Sequence, residues 1–220
     1  MSPAAVFDLD GTLIRGTSAE RLLVPYLARR GLLGARQFAA ALATALTIPA
    51  VGRTRALRRN KRYLAGVEVG LLHHHLPRFL TDVLEARCCP SVLKRMETLR
   101  DAGHSVYLLT GAPDFIAEAL VRRFGMTGGI GTPLAVHEGR FTGRLAGTHY
   151  FGRNKVLGVG ELVRRHGLDL PHSFGFADHV EDIPFLECFG HPVAVEPDAG
   201  LGRHAEGRGW EILRCTSSEP

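Results

Sequence analysis

A short apolar stretch near the start of the chain leads directly into two acidic residues. Residues 4–7 are uncharged, Asp8 and Asp10 flank Leu9, and Gly11 follows. This pattern is typical of a buried strand that ends in a tight turn. Because side chains alternate along an extended backbone, both carboxylates should point to the same face. Such a pair can bind a divalent cation, supply a nucleophile or divide acid and base roles, and it also fits a strand followed by an Asx turn.

The next stretch, up to about residue 86, contains no pattern typical of a strand. Thr17 to Glu20 has the form of a capping box, in which the Thr17 hydroxyl accepts from the Glu20 amide and the Glu20 carboxylate accepts from the Thr17 amide. Apolar periodicity, interrupted by glycine and proline, predicts helices over 18–30, 35–47, 53–64 and 70–86. We therefore expect a small all-helical insertion after the first strand.

From Pro90 onward, helical and strand patterns alternate. Helices are predicted to begin near residues 90, 113 and 154, and buried strands are predicted over 104–110, 173–177, 192–195 and 210–213. A short strand and hairpin is predicted over 132–144, with Glu138 and Gly139 at the turn. This alternation is typical of an α/β protein whose parallel sheet is covered on both faces.

Composition narrows the class of protein. The 220 residues are 45% hydrophobic and 22% charged, with a net charge of +5, which suits a soluble globular protein that favours anionic ligands. Cys88, Cys89, Cys188 and Cys215 show neither zinc spacing nor a disulfide framework, so we expect reduced thiols and a cytoplasmic location. No basic segment precedes an apolar one at the beginning of the chain, so no signal peptide is expected, and the uncharged run 38–51 is too short to span a membrane.

A basic segment lies inside the predicted helical insertion. Residues 53–62 contain six lysine and arginine residues and no acid. Arg58 or Arg62 could contact a second anionic group of a substrate, and the alternative is an ordinary solvated helix face. Nucleic-acid binding is not expected, because Tyr63 is the single aromatic neighbour and no binding motif accompanies the segment.

Polar residues stand at the ends of three predicted strands. They are Asp8 with Asp10, Thr110 with Gly111, and Asp178 followed shortly by Asp182. In open α/β sheets, sites form beyond the carboxyl ends of the strands. We therefore expect these groups to surround one cavity.

In this order and spacing, these residues resemble the motifs of the haloacid dehalogenase superfamily of phosphatases. Asp8-Leu9-Asp10-Gly11-Thr12 is similar to the first motif, Thr110 to the second, Lys155 to the third, and Asp178 with Asp182 to the fourth. A helical insertion directly after the first motif resembles subfamily IB, which includes phosphoserine phosphatases. The resemblance implies a Rossmann-like three-layer core at residues 1–14 and 89–220, with a helical cap at 15–88.

The resemblance also implies a reaction. Asp8 would attack phosphorus and form an aspartyl-phosphate that water hydrolyses, and Asp10 would act as general acid and then as general base. Mg²⁺ would bind the Asp8 carboxylate, the Asp10 carbonyl and Asp178. Phosphotransfer to an alcohol through the same intermediate, and a non-enzymatic binding role on the same fold, remain open alternatives.

Further matched residues would surround the phosphoryl group. The Thr110 hydroxyl, the amides near Gly11 and Gly111, and the Lys155 ammonium would bind its oxygens. Asp182 would orient Lys155 or a metal-bound water. The implied partner is a small phosphorylated metabolite, bound by a monomer or homodimer without nucleic acid and without stable insertion into a membrane.

Substrate selection is less well defined by the sequence. Phosphoserine phosphatases commonly carry an acid nine positions after the nucleophile, where this sequence has Thr17. The nearby Glu20 is explained by the predicted capping box. Arg58 and Arg62 of the insertion, and His179 beside the fourth motif, complete the set of candidate residues for substrate selection.

Overall fold

A parallel β-sheet forms the centre of the structure. The computed structural model describes residues 1–35, 37, 39 and 61–216. The sheet contains β1 (Ala4–Phe7), β2 (Ser105–Pro113), β3 (Gly128–Thr132), β6 (Phe174–Ala177), β7 (His191–Val195) and β8 (Glu211–Leu213). Their spatial order is β3-β2-β1-β6-β7-β8, and every neighbouring pair is parallel. β4 (Leu134–His137) and β5 (Arg140–Leu145) form a separate antiparallel pair.

Helices cover both faces of this sheet. They are α1 (Ala19–Arg29), α2 (Val69–Phe79), α3 (Pro90–Asp101), α4 (Asp114–Arg123), α5 (Lys155–His166), α6 (Ile183–Leu186) and α7 (Ala199–Arg208). Ala5 and Phe7 of β1 pack in one apolar cluster with α1, α3 and α4, whereas Ala4 and Val6 pack in a second cluster with α5, α6 and α7. The alternation of side chains along β1 therefore builds two cores, and the predicted three-layer α/β fold is confirmed.

The stretch between residues 15 and 88 is helical wherever the structure describes regular elements in it. α1 confirms the helix predicted over 18–30, and α2 confirms the start of the helix predicted over 70–86, which continues as a π-helical turn (Leu80–Leu84) and a 3-10 turn (Glu85–Arg87). The remaining two predicted helices lie largely outside the described residues, as does most of the uncharged run 38–51. A 3-10 turn at Arg62–Leu64 precedes α2. No helix in the described ranges is long and apolar enough to cross a bilayer.

Two linkers connect this helical stretch to the sheet, and they lie side by side. The Cys89 amide donates to the Leu13 carbonyl, and the Arg15 amide donates to the Arg87 carbonyl, each at 2.9 Å. The chain therefore leaves the core and returns to it at one place. This arrangement is consistent with a cap at 15–88, and that division stays a prediction.

Each predicted strand is present, but one further strand of the sheet was missed. The hairpin of β4 and β5 turns at Glu138 and Gly139, as predicted. Both turn residues have positive φ. β3 was not predicted, because its sequence Gly-Gly-Ile-Gly-Thr contains a single large apolar residue. Packing explains its glycines, since a Cβ on Gly131 would lie 2.6 Å from the Asp114 Cα. The close approach of α4 therefore removes the side chains by which a strand is normally recognised.

The predicted capping box at the start of α1 is wrong. The N-cap residue is Ser18, whose side chain accepts from the Arg21 amide at 3.3 Å. The Ala19 amide donates to Asp10 Oδ1 at 2.8 Å. The side chain of Glu20 points to tertiary partners instead of returning to the helix terminus.

The expectation that all four cysteines are reduced is wrong for one pair. Cys89 and Cys215 form a disulfide across a sequence separation of 126 residues, whereas Cys88 and Cys188 are free thiols. The bond ties the segment after β8 to the start of α3, beside the returning linker. The argument for a cytoplasmic location from reduced thiols therefore does not hold.

Reduction of this disulfide should destabilise the fold. We expect a reductant to lower the free energy of unfolding by about 2–4 kcal/mol, because the bond closes a long loop in the unfolded chain. Urea titrations with and without dithiothreitol measure the effect. Cys215→Ser should show the same loss and no response to reductant, and Cys188→Ser should respond like the wild type. Equal stability of the oxidised and reduced wild type would contradict the prediction.

Candidate active site

The carboxyl ends of three adjacent strands carry the predicted site residues to one cavity. Asp8 and Asp10 follow β1, Thr110 lies near the end of β2, and Asp178 follows β6. The cavity is lined by Asp8, Asp10, Glu20, Thr110, Gly111, His149, Phe151, Lys155, Asp178, His179 and Asp182. The convergence expected for the strand ends is therefore present, and Lys155 joins it from the first turn of α5.

A buried lysine links two of these acids. The Lys155 Nζ lies 2.8 Å from Asp8 Oδ2 and 2.9 Å from Asp182 Oδ2, and all three residues are buried. Burial alone would lower the pKa of Lys155, but the carboxylates of Asp182 and Asp8 outweigh it and raise that pKa. Lys155 therefore carries a positive charge in the lining of the cavity at neutral pH.

The acids around Lys155 are crowded. Burial raises the pKa of Asp8 to about 6, although Lys155 opposes the shift. The pKa of Asp178 rises to about 8, mainly through burial and then through the charge of Asp8. Burial likewise raises the pKa of Asp10 to about 7, against the hydrogen bond from the Ala19 amide. One lysine thus balances only part of the negative charge in the cavity.

This excess of carboxylates suits a hard divalent cation. Asp8, Asp178 and Asp182 each present an oxygen atom, and the three atoms lie within 4.8 Å of one another. Asp182 Oδ1 is buried and has no hydrogen-bond partner among the residues that the structure describes. Carboxylate oxygens are the ligands that Mg²⁺ prefers, and a cation would lower the cost of holding these charges together. Asp8 and Asp178, which belong to the predicted ligand set, therefore fit the predicted metal, and Asp182 adds a nearby carboxylate that also pairs with Lys155.

Gly11 allows Asp178 to approach the first strand. Its φ is +84°, and a Cβ at this position would lie 1.9 Å from Asp178 Oδ2. The next residue, Thr12, donates its hydroxyl to Asp178 Oδ1 at 3.3 Å. The turn after β1 therefore requires glycine both for its backbone conformation and for the space that an acid occupies.

A second close approach shapes the region around Thr110. The Thr110 hydroxyl oxygen accepts from the Ala112 amide at 3.0 Å, which leaves its proton for donation into the cavity. A Cβ on Gly111 would lie 3.3 Å from the Tyr150 carbonyl and 3.4 Å from His149 Nε2. Gly111 thus brings the loop before α5 against the end of β2.

The candidate residues for substrate selection occupy different places. Glu20 lines the cavity, whereas Thr17 and Arg62 are not among the lining residues. Arg62 is exposed. Arg58 lies outside the described residues.

His179 lines the cavity but also supports the local fold. Its Nδ1 accepts from the Glu181 amide at 3.2 Å, and its Nε2 lies 3.3 Å from Asp198 Oδ2. Asp198 in turn caps α7 by accepting from the Leu201 amide at 2.7 Å. These contacts connect the segment after β6 to α7.

Sequence reasoning missed four residues at or beside the cavity. His149 and Phe151 stand on the loop before Lys155, where the His149 carbonyl accepts from Asn154 Nδ2 at 3.1 Å. Their only sequence signal is a position four to six residues ahead of Lys155. Lys61 and Tyr63 contact Glu20 from 41 and 43 residues away, and no local pattern indicates such contacts.

Comparison with known proteins assigns the family. The family model for haloacid dehalogenase-like hydrolases matches residues 5–187. This chain belongs to that family. The match covers the strand ends, the lysine and the acids described above, so the predicted superfamily is confirmed.

Individual proteins are similar to nearly the whole of this chain. A phosphoserine phosphatase of Mycobacterium tuberculosis is 32% identical, with 96% of this chain and 70% of the relative covered. A histidinol-phosphatase of Neisseria meningitidis is 26% identical, with 97% and 99% covered. A solved structure of a Bordetella pertussis protein of unknown function has a TM-score of 0.82 at 26% identity, with 98% of this chain and all of that chain covered. Family membership and the phosphatase names of these relatives support a phosphoric monoester hydrolase.

The role of Gly11 can be tested against a second glycine with similar backbone conformation. Gly139 has φ +72° in the hairpin turn, and a Cβ there would meet nothing within 4 Å. Gly139→Ala should cost about 1–2 kcal/mol of unfolding free energy through backbone strain alone. Gly11→Ala should cost about 1–3 kcal/mol more, because its methyl group meets the Asp178 carboxylate. Equal losses in urea unfolding of the two variants would refute the contact.

Proposed function

We propose that this protein is a Mg²⁺-dependent phosphatase that hydrolyses a small-molecule phosphomonoester through an aspartyl-phosphate on Asp8. The arrangement of Asp8 carries the proposal. Its carboxylate is buried, lies 2.8 Å from the Lys155 ammonium and faces the cavity that Asp10 also lines. Burying such an acid costs free energy of folding, so its position favours a catalytic role over a stabilising one.

The first step is a displacement at phosphorus. The Asp8 carboxylate forms a new bond to phosphorus, and the bond from phosphorus to the substrate alcohol breaks. Lys155 favours the ionised nucleophile and complements the negative charge on the phosphoryl oxygens. Asp182 acts as a positioning residue, since its carboxylate holds the Lys155 ammonium at 2.9 Å.

Asp10 is suited to move the protons. A pKa near 7 gives substantial populations of both its acid and its carboxylate form at neutral pH. The acid form gives a proton to the departing alkoxide, and the carboxylate form later takes a proton from the water that hydrolyses the aspartyl-phosphate. The Ala19 amide holds Asp10 Oδ1 at 2.8 Å and so fixes the orientation of the carboxyl group.

Residues at the ends of three strands would bind the metal and the phosphoryl oxygens. Asp8, Asp178 and the Asp10 carbonyl would bind Mg²⁺, which when bound offsets the repulsion between the carboxylates and an anionic substrate. The Thr110 hydroxyl and the amides around Gly11 and Gly111 would bind phosphoryl oxygens.

The helical stretch at 15–88 would act as the cap that selects the alcohol. Thr17, Glu20, Arg58, Arg62 and His179 remain the candidates for this selection. The phosphoserine and histidinol phosphatases among its relatives are consistent with a small phosphorylated metabolite as substrate. A cytoplasmic location and a monomeric or homodimeric state remain predictions.

Phosphate release from a panel of compounds tests the function. The panel should contain phosphorylated amino acids, amino alcohols, sugars, polyols and lipids, each with Mg²⁺ and with a chelator. We expect release from one class, reduced at least about a hundredfold by the chelator, because a bound cation contributes several kcal/mol to stabilising the transition state. Transfer of phosphate to an added alcohol without release of inorganic phosphate would favour a phosphotransferase instead.

Substitution of Asp8 tests the intermediate. Asp8→Asn should lower kcat at least about a thousandfold, because an amide cannot replace the carboxylate nucleophile. Asp101→Asn, at the exposed end of α3, is the matched control and should retain activity. Intact-mass measurement after rapid acid quench should detect the phosphorylated protein in the wild type and in Asp101→Asn, but not in Asp8→Asn. Turnover by a folded Asp8→Asn variant at the wild-type rate would exclude the mechanism.

A further inference from the structure

A charged cluster with a buried lysine and a partly exposed acid adjoins the cavity on the side of α1. It consists of Glu20, Lys61 and Tyr63 and is called the Glu20 cluster below. Lys61 has no exposed surface and pairs with Glu20 Oε2, while the Tyr63 hydroxyl donates to Glu20 Oε1 at 2.6 Å. Burial, and then the charge of Glu20, raise the pKa of Tyr63, so its hydroxyl stays a donor. Both carboxylate oxygens of Glu20 are therefore already engaged.

The Glu20 cluster lies on the side of the cavity from which Asp10 acts. Ala19, whose amide binds Asp10, directly precedes Glu20 in the first turn of α1. Glu20 lines the same cavity as Asp8 and Asp10, and it is the one lining residue among the described residues of the 15–88 stretch. Because Asp10 serves the oxygen of the departing alcohol in the proposed reaction, Glu20 faces that alcohol.

We propose that the Glu20 cluster selects phosphomonoesters whose alcohol portion carries hydroxyl groups rather than an ammonium group, and that Lys61 sets this selection. The inference rests on the phosphatase function proposed above. It names Lys61 as a positioning residue, which acts on the substrate through Glu20.

The argument follows from charge balance. An ammonium group on the substrate would compete with Lys61 for the Glu20 carboxylate. If Glu20 turned to the substrate, the Lys61 charge would remain buried without its partner, which is strongly unfavourable. If Glu20 kept Lys61, the ammonium group would meet a carboxylate whose charge is already balanced. Either way, the substrate cation gains little.

A hydroxyl group has no such conflict. Each carboxylate oxygen has two acceptor sites, so Glu20 can accept a further hydrogen bond while Lys61 and Tyr63 stay in place. The substrate hydroxyl brings no charge that must be balanced. The Glu20 carboxylate can therefore accept a hydrogen bond from the alcohol portion while Lys61 continues to balance its charge.

Two esters that differ in one group provide the test. We would measure kcat/KM with Mg²⁺ for 2-hydroxyethyl phosphate and 2-aminoethyl phosphate. The wild type should prefer the hydroxyethyl ester. Lys61→Met keeps a long side chain but removes the charge, and it should shift the ratio of the two kcat/KM values at least about tenfold toward the aminoethyl ester, the scale of one hydrogen bond to a charged group.

Three further variants separate charge from structure. Glu20→Gln combined with Lys61→Met removes both charges and should return the ratio to within about threefold of wild type, as expected if the two charges act as one unit. Lys61→Arg keeps the charge and should preserve the preference. Glu20→Gln alone leaves the lysine cation beside the cavity, so it should disfavour the aminoethyl ester further, and it tests the inference even if Lys61→Met does not fold.

The outcomes distinguish this inference from the proposed function. A wild-type preference for the aminoethyl ester, or an unchanged ratio in folded Lys61→Met, would overturn the inference and leave the phosphatase intact. Absence of Mg²⁺-dependent release from any compound of the wider panel would overturn the proposed function and this inference with it.

Discussion

The ion pairs of Lys155 are the interaction on which the site depends. Its ammonium group contacts Asp8 after β1 and Asp182 beyond β6, while its own backbone begins α5. All three charges are buried, so water cannot replace a lost partner. Removing Lys155 would leave two buried carboxylates without a counter-ion, and removing either acid would leave the lysine with a single partner. The pairs therefore fix the relative positions of two strand ends and a helix terminus, and the cavity forms between them.

These ion pairs do not balance the acids completely, and the rest of the site reflects that excess. Asp178 approaches Asp8 closely because Gly11 has no side chain, and burial beside another carboxylate raises its pKa to about 8. A fold selected for stability alone would not collect acids in this way. The free-energy cost of collecting these acids is understandable if a cation binds in the cavity, because the oxygen atoms that repel one another would then be ligands of the same cation. The glycine turn and the metal proposal are thus two consequences of one crowded arrangement.

The sequence predicted those features that arise from regular alternation. Apolar residues 4–7 indicated a buried strand, and polar residues at the ends of three strands indicated where a site would form. Features set by distant partners were not predictable. β3 consists mainly of glycines, because α4 lies against it. Cys89 and Cys215 are 126 residues apart in the sequence, and they meet because Cys215 follows β8, which pairs with β7 at the edge of the sheet. In both cases, the determining neighbour is far away in the chain.

Glu20 shows how a local explanation can hide a tertiary one. Its spacing from Thr17 fits a capping box, but an exposed cap is weak compared with the requirement of a fully buried lysine for a counter-ion. Lys61 therefore determines where the carboxylate points. One consequence is an asymmetric cavity. The acids around Lys155 outnumber the lysine and leave an excess of negative charge, whereas the charges of Glu20 and Lys61 near α1 balance each other. In the proposed reaction, recognition of the phosphoryl group would depend mainly on charge, and recognition of the alcohol mainly on hydrogen bonding and shape.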